Sequence, residues 1–293
     1  MIGVDVGGTK ILAAVVSREG AVESRREHAT PLESQEELLE GIVRAVEECR
    51  SDAVVAIGFG VPSQVDHDHG TVGGSVNIPL SDLPLLERAR ERFGLPVAIE
   101  NDANAAALAE WMAGAGRGTR NLVMLTLGTG VGGGVVIDGR LYRGWAELGH
   151  LVVDQDGKPC QGTCTGRGHL ESYCTGLAAG EAAQEAFGQE ADAHRLIELA
   201  REGDERAKEI LAAIGHRLGA GIGGLVNVFH PEVVVIGGGF GVAAFDFLIP
   251  AAREAVEREA LQRGGFGLRI VPAQLGTAAG VIGAGLLAFE ALE

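Results

Sequence analysis

Asn101 and Asp102 are the pair of residues whose types and position best suit chemistry. They follow an apolar run at residues 97–99 that is typical of a short buried strand, and they precede an alanine-rich helix predicted for residues 103–112. One interpretation is that both residues only cap the helix, since Asn and Asp are preferred caps. The other is that they take part in a reaction, because open α/β sheets place ligands at the carboxyl ends of strands. Asp102 is therefore a candidate catalytic residue.

Two strand–turn–strand units carry glycine and threonine in their turns. The first covers residues 2–16 around Gly7-Gly8-Thr9-Lys10, and the second covers residues 121–137 around a turn at residues 128–134. Glycine has no Cβ, so backbone N–H groups of such a turn can approach a phosphate closely, although an ordinary glycine hairpin has the same sequence. Because the design occurs twice, we predict two related halves that bind one polyphosphate from opposite sides. Asp5 is placed to hold a metal-bound water, and Lys10 to add a point charge.

The elements that position these residues alternate between strands and helices, which indicates the α/β class. Periodicity predicts helices at residues 34–50, 84–93, 207–228 and 278–292, and strands at 54–59 and 233–236, with a third glycine cluster at 237–241. Glycines within the helix at 207–228, such as Gly219, indicate close helix packing. Residues 66–70 resemble a metal cluster, but alternating Asp and His in a turn are usually solvated, so we interpret them as a hairpin tip.

Composition narrows the possible functions. The chain has 293 residues, which is enough for two domains, and its 46% hydrophobic content and 46 glycines describe a compact α/β protein. The net charge is −16 and the only lysines are Lys10, Lys158 and Lys208. Nucleic-acid binding is therefore disfavoured, because it depends on a basic surface. No apolar stretch is long enough for a membrane span, and the chain start lacks the basic segment of a signal peptide, so a cytoplasmic protein is expected.

Four motifs in a fixed order resemble the ROK family of sugar kinases and sugar-responsive repressors. They are Asp5-Val6-Gly7-Gly8-Thr9-Lys10, Glu100-Asn101-Asp102-Ala103-Asn104, the run at residues 126–134, and Glu147-Leu148-Gly149-His150. The resemblance covers essentially the whole chain. It implies an actin-like, hexokinase-like two-domain α/β ATPase fold, with ribonuclease H-like halves and an active site in the interdomain cleft. It also implies a small N-terminal domain of residues 1–102 plus 279–293, and a large domain of residues 103–278 with the dimerisation and zinc-loop regions.

The resemblance implies a role for each matching residue. Asp102 is similar to the general base that takes the proton from the sugar 6-hydroxyl as it attacks the γ-phosphoryl group of ATP. The residues that match sugar contacts are Asn77, Asn101, Asp102, Glu147, His150 and Glu171. Those that match the nucleotide site are Asp5, Gly7, Gly8, Thr9 and Lys10 in the first phosphate turn, Gly128, Thr129 and Gly130 in the second, and Gly237, Gly238 and Gly239 near the adenosine. Mg²⁺ is expected to bridge the ATP phosphates.

A histidine and cysteine cluster departs from the family pattern. The family has a His, a Cys-x-Cys pair ten residues later, and a further Cys two residues before a Glu. Here His150 and Cys160 match, Cys164 stands two residues late, and His169 replaces the last cysteine. Two His and two Cys are a legitimate tetrahedral zinc set, so we expect a structural Zn²⁺ that fixes the loop carrying His150 and Glu171. The alternative is a loop without metal, in which Cys160 and Cys164 are free thiols.

Two other departures concern the sugar pocket. Residues 142–146 form a shorter approach to Glu147 than the family's glycine-rich segment, which affects the placement of Glu147. Ser63-Gln64 stands where the family usually has Gly-Pro. We expect this second change to alter the rim of the pocket rather than the chemistry.

These observations predict an ATP-dependent hexokinase that phosphorylates the 6-hydroxyl of glucose. Fructose, mannose, allose and N-acetylhexosamines remain alternatives, because motifs do not report pocket shape. Inorganic polyphosphate is disfavoured as the donor, since a channel for a polyanion should be basic. A repressor is disfavoured because no DNA-binding domain precedes Asp5, and a catalytically silent sugar-binding protein has no support in the motifs. The expected assembly is a homodimer, as is common in the family, with no nucleic-acid or membrane partner.

Overall fold

The chain forms two compact units. The computed structural model describes residues 1–75, 77–162, 164–261 and 267–292. Unit 1 consists of Met1–Gly118, Leu141–Ala146 and Leu275–Glu293, and unit 2 consists of Thr119–Arg140 and Glu147–Gln274. The sequence prediction ended the first domain at residue 102. The helix that follows nevertheless lies in unit 1, because it packs against the C-terminal helix of that unit.

Each unit is built around a five-stranded mixed sheet, and the described strands run in chain order as follows. They are β1 (Ile2–Val6), β2 (Lys10–Val16), β3 (Val22–Ala29), β4 (Ile57–Val61), β5 (Val65–Asp66), β6 (Thr71–Val72), β7 (Val97–Asn101), β8 (Leu122–Leu127), β9 (Val131–Ile137), β10 (Arg140–Leu141), β11 (Val233–Gly237) and β12 (Arg269–Pro272).

The two sheets have the same strand order. The first runs β3-β2-β1-β4-β7, with β1 antiparallel to β2 and parallel to β4. The second runs β10-β9-β8-β11-β12, with β8 antiparallel to β9 and parallel to β11. A strand–turn–strand hairpin thus begins each sheet, and the parallel strands follow. This repetition agrees with the predicted pair of related halves.

The described helices surround these sheets. They are α1 (Gln35–Cys49), α2 (Leu85–Phe93), α3 (Asp102–Met112), α4 (Gly176–Phe187), α5 (Ala193–Glu202), α6 (Glu205–Phe229), α7 (Gly239–Ala243), α8 (Phe245–Glu259) and α9 (Ala279–Glu290). Several begin at side chains that suit the position. The Ser34 hydroxyl accepts a hydrogen bond from the Glu37 N–H, and the Asp204 carboxylate accepts one from the Ala207 N–H. Such caps satisfy backbone donors that have no partner within the helix.

Each unit has its own apolar core, and tight helix packing contributes to both. The core of unit 1 includes Phe59 and Leu38, and that of unit 2 includes Leu125 and Leu218. Helix α6 packs on α8 so closely that a Cβ at Gly219 would lie 2.2 Å from the Ala252 carbonyl oxygen. This confirms the close packing inferred from the glycines of that helix. Helix α9 packs on β1, β4 and α3, as expected for a C-terminal helix that returns to the N-terminal domain.

Two strand boundaries differ from the sequence prediction. Strand β4 begins at Ile57 rather than at residue 54, because the Val54 N–H bonds to the Ser51 carbonyl in a turn. Strand β9 begins at Val131, so only residues 128–130 form the turn. The glycines that follow pair in register with β8, for example Gly133 with Leu125, and the Leu148 side chain packs over Gly133.

Among the residues that the structure describes, none of the helices combines the length and the apolar character that crossing a bilayer requires.

Candidate active site

The junction of β7 and α3 places Asn101 and Asp102 at the carboxyl end of the edge strand of unit 1. The Asn101 side-chain oxygen accepts hydrogen bonds from the N–H groups of Ala103 (2.9 Å) and Asn104 (3.2 Å). Asn101 is therefore the helix cap. Asp102 is the first residue of the helix, and its Oδ1 accepts a hydrogen bond of 2.8 Å from the Ala103 N–H. The partial positive charge at this end of the helix stabilises a carboxylate there.

The structure brings Asp5 close enough to Asp102 for the two carboxyl groups to interact. The pKa of Asp5 is raised to about 7, first by burial and then by repulsion from Asp102, while Lys10 acts in the opposite direction. The start of α9 covers the same carboxyl group, since a Cβ at Gly280 would lie 2.5 Å from the Asp5 Oδ2. A carboxyl group with a pKa near neutrality beside a second carboxylate is typical of functional sites.

The first glycine turn is held by its neighbours. The Gly7 N–H donates to the Lys10 carbonyl (2.9 Å), and the Thr30 hydroxyl donates to the Gly7 carbonyl (2.6 Å). A Cβ at Gly8 would lie 3.3 Å from the Asn77 carbonyl oxygen, so the turn contacts the loop that carries Asn77. The Lys10 ammonium lies 2.9 Å from the Glu27 carboxylate, in an exposed ion pair with the neighbouring strand β3.

The second glycine turn lies in unit 2, next to the third glycine cluster. The Gly128 N–H donates to the Gly130 carbonyl (2.9 Å), and the Gly128 carbonyl accepts from the Gly176 N–H at the start of α4 (2.9 Å). Gly238 has φ +78°, and a Cβ there would lie 2.3 Å from the Leu127 carbonyl oxygen. Only glycine combines this dihedral angle with so close an approach. The structure thus brings the predicted phosphate and adenosine segments of unit 2 together.

Glu171 connects this turn to the metal loop. Its Oε2 accepts a hydrogen bond of 2.9 Å from the Val131 N–H, directly after the turn, and a Cβ at Gly130 would lie 2.7 Å from that oxygen. Its other carboxylate oxygen, Oε1, lies 4.0 Å from the Cys160 sulfur. A residue predicted to contact sugar therefore also contacts the phosphate turn.

The four predicted metal ligands converge. One donor atom each from His150, Cys160, Cys164 and His169 lies within 4.8 Å of all the others, and the Cys164 sulfur lies 3.6 Å from His169 Nδ1. Tetrahedral zinc with these ligand types needs donor separations of roughly 3.3–3.8 Å, so a contraction of about 1 Å would complete the site. The donor set and its geometry fit zinc.

Glu147 and His150 lie at the two ends of a short turn, Leu148–His150 with Glu147 before it, and both remain accessible. The Glu147 Oε2 lies 3.8 Å from His150 Nδ1. The shortened approach to Glu147 contains Ala146 at φ +44°, a left-handed conformation that residues other than glycine rarely adopt. The Glu147 carboxylate thus lies beside the His150 ring.

Sequence reasoning missed a cluster around Glu100. Its carboxylate is 1% exposed and lies 3.3 Å from Arg143 Nε and 3.4 Å from His67 Nε2. Burial alone would raise the pKa of Glu100, but hydrogen bonds from His67 and Asn104 hold it below its usual value. Residues 66–70 do lie at the tip between β5 and β6, but His67 there contacts this buried carboxylate. The only sequence signal was a glutamate directly before Asn101.

An open cavity of about 650 Å³ lies beside this cluster in unit 1. Its wall includes His67 and Arg143, together with the highly exposed indole of Trp145. Ser63 connects this region to Asn101, because its hydroxyl donates to the Gly73 carbonyl (2.8 Å) and its carbonyl accepts from the Asn101 side chain (3.4 Å). The Ser63-Gln64 pair, which departs from the family pattern, therefore contacts Asn101 through Ser63 and lines the cavity through Gln64.

The repeated strand order, the paired glycine turns and the carboxylate at a strand end define an α/β protein of the actin-like, hexokinase-like class. Comparison with known proteins identifies the family. The model of the ROK family matches residues 1–291, and the chain belongs to this family.

Three of its relatives are similar along almost their whole length. A glucokinase of Streptomyces coelicolor is 36% identical over 99% of this chain and 97% of its own. The crystal structure of a ROK family glucokinase from Streptomyces griseus, in complex with glucose and AMPPNP, is 34% identical with a TM-score of 0.83 and covers 99% of both chains. The ROK hexokinase from Thermus thermophilus is 35% identical, with a TM-score of 0.85 over 100% of this chain and 98% of that one. These likenesses confirm the predicted fold class.

Proposed function

We propose that this protein is an ATP-dependent hexokinase that transfers the γ-phosphoryl group of ATP to the 6-hydroxyl of glucose. The observation that carries the proposal is the likeness to the Streptomyces griseus glucokinase, whose crystal contains glucose and AMPPNP and which matches 99% of this chain. The geometry of each unit supports it, because Asp102, the glycine turns and the sugar-contact residues occupy positions suited to these tasks.

Asp102 is the general base in this proposal. Its carboxylate takes the proton of the 6-hydroxyl while that oxygen attacks the γ-phosphorus, and the bond from the phosphorus to the β,γ-bridging oxygen breaks. Phosphoryl transfer needs mainly positioning and charge stabilisation, so a well-placed carboxylate can serve as the base. The hydrogen bond from the Ala103 N–H fixes one Asp102 oxygen at the helix end. The Asn101 side-chain oxygen caps that helix and one of its amide N–H groups donates to the Ser63 carbonyl, so the second N–H is the group that it offers to a sugar hydroxyl.

The nucleotide phosphates bind to the backbone of the two glycine turns, at Gly7, Gly8, Thr9 and Lys10 in unit 1 and at Gly128, Thr129 and Gly130 in unit 2. Gly237, Gly238 and Gly239 contact the adenosine. Mg²⁺ bound with ATP would neutralise part of the phosphate charge. Asp5 would orient a water in the shell of that ion, and a nearby cation would favour its ionised form.

Sugar hydroxyls are contacted by Asn77, Asn101, Glu147, His150 and Glu171. Carboxylates and amides accept and donate in pairs, which suits vicinal hydroxyls, and a site built this way discriminates strongly against a sugar that leaves a polar group unpaired. Glucose is the first choice, because Glu147, His150 and Glu171 are all present. The alternatives are another hexose or an N-acetylhexosamine.

Zinc held by His150, Cys160, Cys164 and His169 would serve a structural role. It would fix the loop between His150 and Glu171, and thereby the two sugar-contact residues at its ends. The chemistry of phosphoryl transfer remains with Asp102 and the ATP site.

The proposal is tested by measuring ADP production by the purified protein with Mg-ATP and a panel of glucose, fructose, mannose, allose and N-acetylhexosamines. Phosphorus NMR of the product assigns the position of the new ester. Glucose is expected to have the highest kcat/KM and to yield the 6-phosphate. Higher turnover on another sugar would replace the substrate, and the absence of ADP production with every sugar would contradict the kinase. Gel filtration with light scattering tests the predicted homodimer on the same sample.

A further inference from the structure

Glu100 is a buried acid directly before the proposed sugar contact and base. It belongs to β7, where it pairs in register with Gly60 of β4, and its side chain is 1% exposed. A buried carboxylate is costly unless it is hydrogen-bonded and its charge is paired. Its partners therefore show what the acid does at this position.

One oxygen of Glu100 fixes the junction of β7 and α3. Oε1 accepts a hydrogen bond from the Asn101 N–H (2.9 Å) and one from the Asn104 side chain (3.1 Å). Asn101 and Asn104 lie on either side of Asp102, so a single atom holds the backbone before the base and the first helical turn after it. A change in the orientation of the Asp102 side chain would misplace the proton acceptor.

The other oxygen of Glu100 faces two side chains that can be positively charged. Oε2 lies 3.3 Å from Arg143 Nε and 3.4 Å from His67 Nε2. Arg143 also pairs with Glu290 at the end of α9. His67 comes from the tip between β5 and β6, so the carboxylate connects three separate segments of unit 1.

A glutamine would keep the hydrogen-bond acceptor of Oε1 but not the charge that attracts His67 and Arg143. The presence of a glutamate rather than a glutamine is thus explained only when the contacts of both carboxylate oxygens are considered. His67 and Arg143 also line the cavity of about 650 Å³, whereas the buried Glu100 does not.

We propose that Glu100 is a positioning residue for the reaction, with Arg143 as its charge partner and His67 as a hydrogen-bond donor, which together hold it oriented towards Asn101 and Asn104. It touches neither sugar nor ATP and acts through the direction of Asp102. This inference rests on the proposed function, because the junction of β7 and α3 needs a fixed geometry only if Asp102 is the base.

The matched control is Glu110, at the other end of α3. It is also fully buried, and its carboxylate accepts hydrogen bonds from the N–H groups of Ala115 (2.8 Å) and Leu275 (2.7 Å). Glu110→Gln also removes one buried, hydrogen-bonded carboxylate charge, from the helix that follows Glu100, without touching Asp102 or Asn101. A loss that only reflects a weaker helix should therefore occur equally in both variants.

The experiment compares Glu100→Gln with Glu110→Gln in steady-state kinetics on the best sugar. Glu100→Gln is expected to lower kcat by about tenfold or more, with a smaller change in the sugar KM, because misplacement of a base impairs the transition state more than binding. Glu100→Asp is expected to recover part of kcat. Glu110→Gln is expected to lower Tm while kcat stays within about twofold of wild type. Equal kcat in wild type and Glu100→Gln, or equal losses in both glutamine variants, would overturn the proposal.

Two further measurements keep the test decisive. If Glu100→Gln does not fold, His67→Ala and Arg143→Ala replace it, and each is expected to lower kcat by about threefold, with less than the product of both losses in the double variant. Amide hydrogen exchange at Ala103 and Asn104 is independent of activity. It is expected to be about tenfold faster in Glu100→Gln than in Glu110→Gln, and equal rates would overturn the inference even if the protein phosphorylates no sugar and the proposed function fails.

Discussion

Glu171 accepts a hydrogen bond from the N–H of Val131, with 2.9 Å between the carboxylate oxygen and the nitrogen. Val131 is the first residue after the second glycine turn, whereas Glu171 follows the loop that carries the four predicted metal ligands. A residue that the family pattern assigns to the sugar thus also holds the phosphate turn. In the proposed function, the sugar site and the phosphate site of unit 2 therefore share one carboxylate.

This shared carboxylate predicts a double effect of Glu171→Gln. The change removes the charge that strengthens the bond to the Val131 N–H, so the KM for both sugar and ATP is expected to rise, each by about three- to tenfold. Glu181→Gln removes a charge from an exposed glutamate on α4 and serves as the control. A rise in the sugar KM alone would show that the contact with the turn does not matter for ATP.

The raised pKa of Asp5 predicts the direction of a stability change with pH. Its pKa is about 7 in the fold, against an ordinary value of 3.8, so the folded protein holds this proton more tightly than the unfolded chain. Its contribution is therefore fully present below about pH 4 and is lost as the pH rises to about 7. Asp5→Asn is expected to raise the free energy of unfolding by roughly 1–3 kcal/mol at pH 8, and by much less at pH 4.

Urea unfolding at several pH values measures this difference. Asp52→Asn, at an exposed site, is the control and should show no such trend. A constant difference between Asp5→Asn and wild type across the pH range would contradict the raised pKa.

The repulsion between Asp5 and Asp102 can be measured separately. Asp102→Asn removes the charge that raises the pKa of Asp5, so the Asp5 carboxyl should titrate at lower pH in this variant than in wild type. Carbon-13 NMR of the side-chain carboxyl carbon records that titration. An unchanged pKa of Asp5 would mean that the two groups do not interact.

The zinc cluster predicts about one metal ion per chain in protein purified with zinc present. His169→Ala and Cys164→Ser each remove one ligand and are expected to lose the metal and to make the loop between residues 150 and 171 more sensitive to protease. Cys49→Ser changes a buried cysteine outside the cluster and should retain the ion. Elemental analysis that finds equal zinc in all four proteins, or none in wild type, would contradict the site.

The sequence predicted the parts of the site that depend on local pattern. Gly7-Gly8-Thr9 and the turn after Leu127 were visible because glycines between apolar strands have few alternatives, and Asn101 was recognised as a cap by its place before an alanine-rich helix. The contacts of Glu100 were not visible. His67 and Arg143 lie far from it along the chain, and only the packing of separate segments brings them to the same carboxylate.

The differences in strand bounds have a similar cause. The glycines after Val131 resemble a longer turn in sequence, yet the backbone pairing with β8 continues through them.

The tip between β5 and β6 is a second case. Asp66 and His67 suggest a solvated tip in the sequence, because polar residues in a turn usually face water. One of the two instead turns inward to a buried charge, and that preference cannot be read from neighbours in the sequence.

The central claim is that Asp102 is the base of a sugar kinase, and the most direct test is the comparison of wild type with Asp102→Asn. The substitution keeps the size of the side chain and an oxygen for the Ala103 N–H, but it cannot take the proton of the 6-hydroxyl. The expected result is a fall in kcat of about a thousandfold, with the Kd for glucose from calorimetry within about threefold of wild type. A variant that retains most of its kcat while binding glucose normally would contradict the assignment of Asp102.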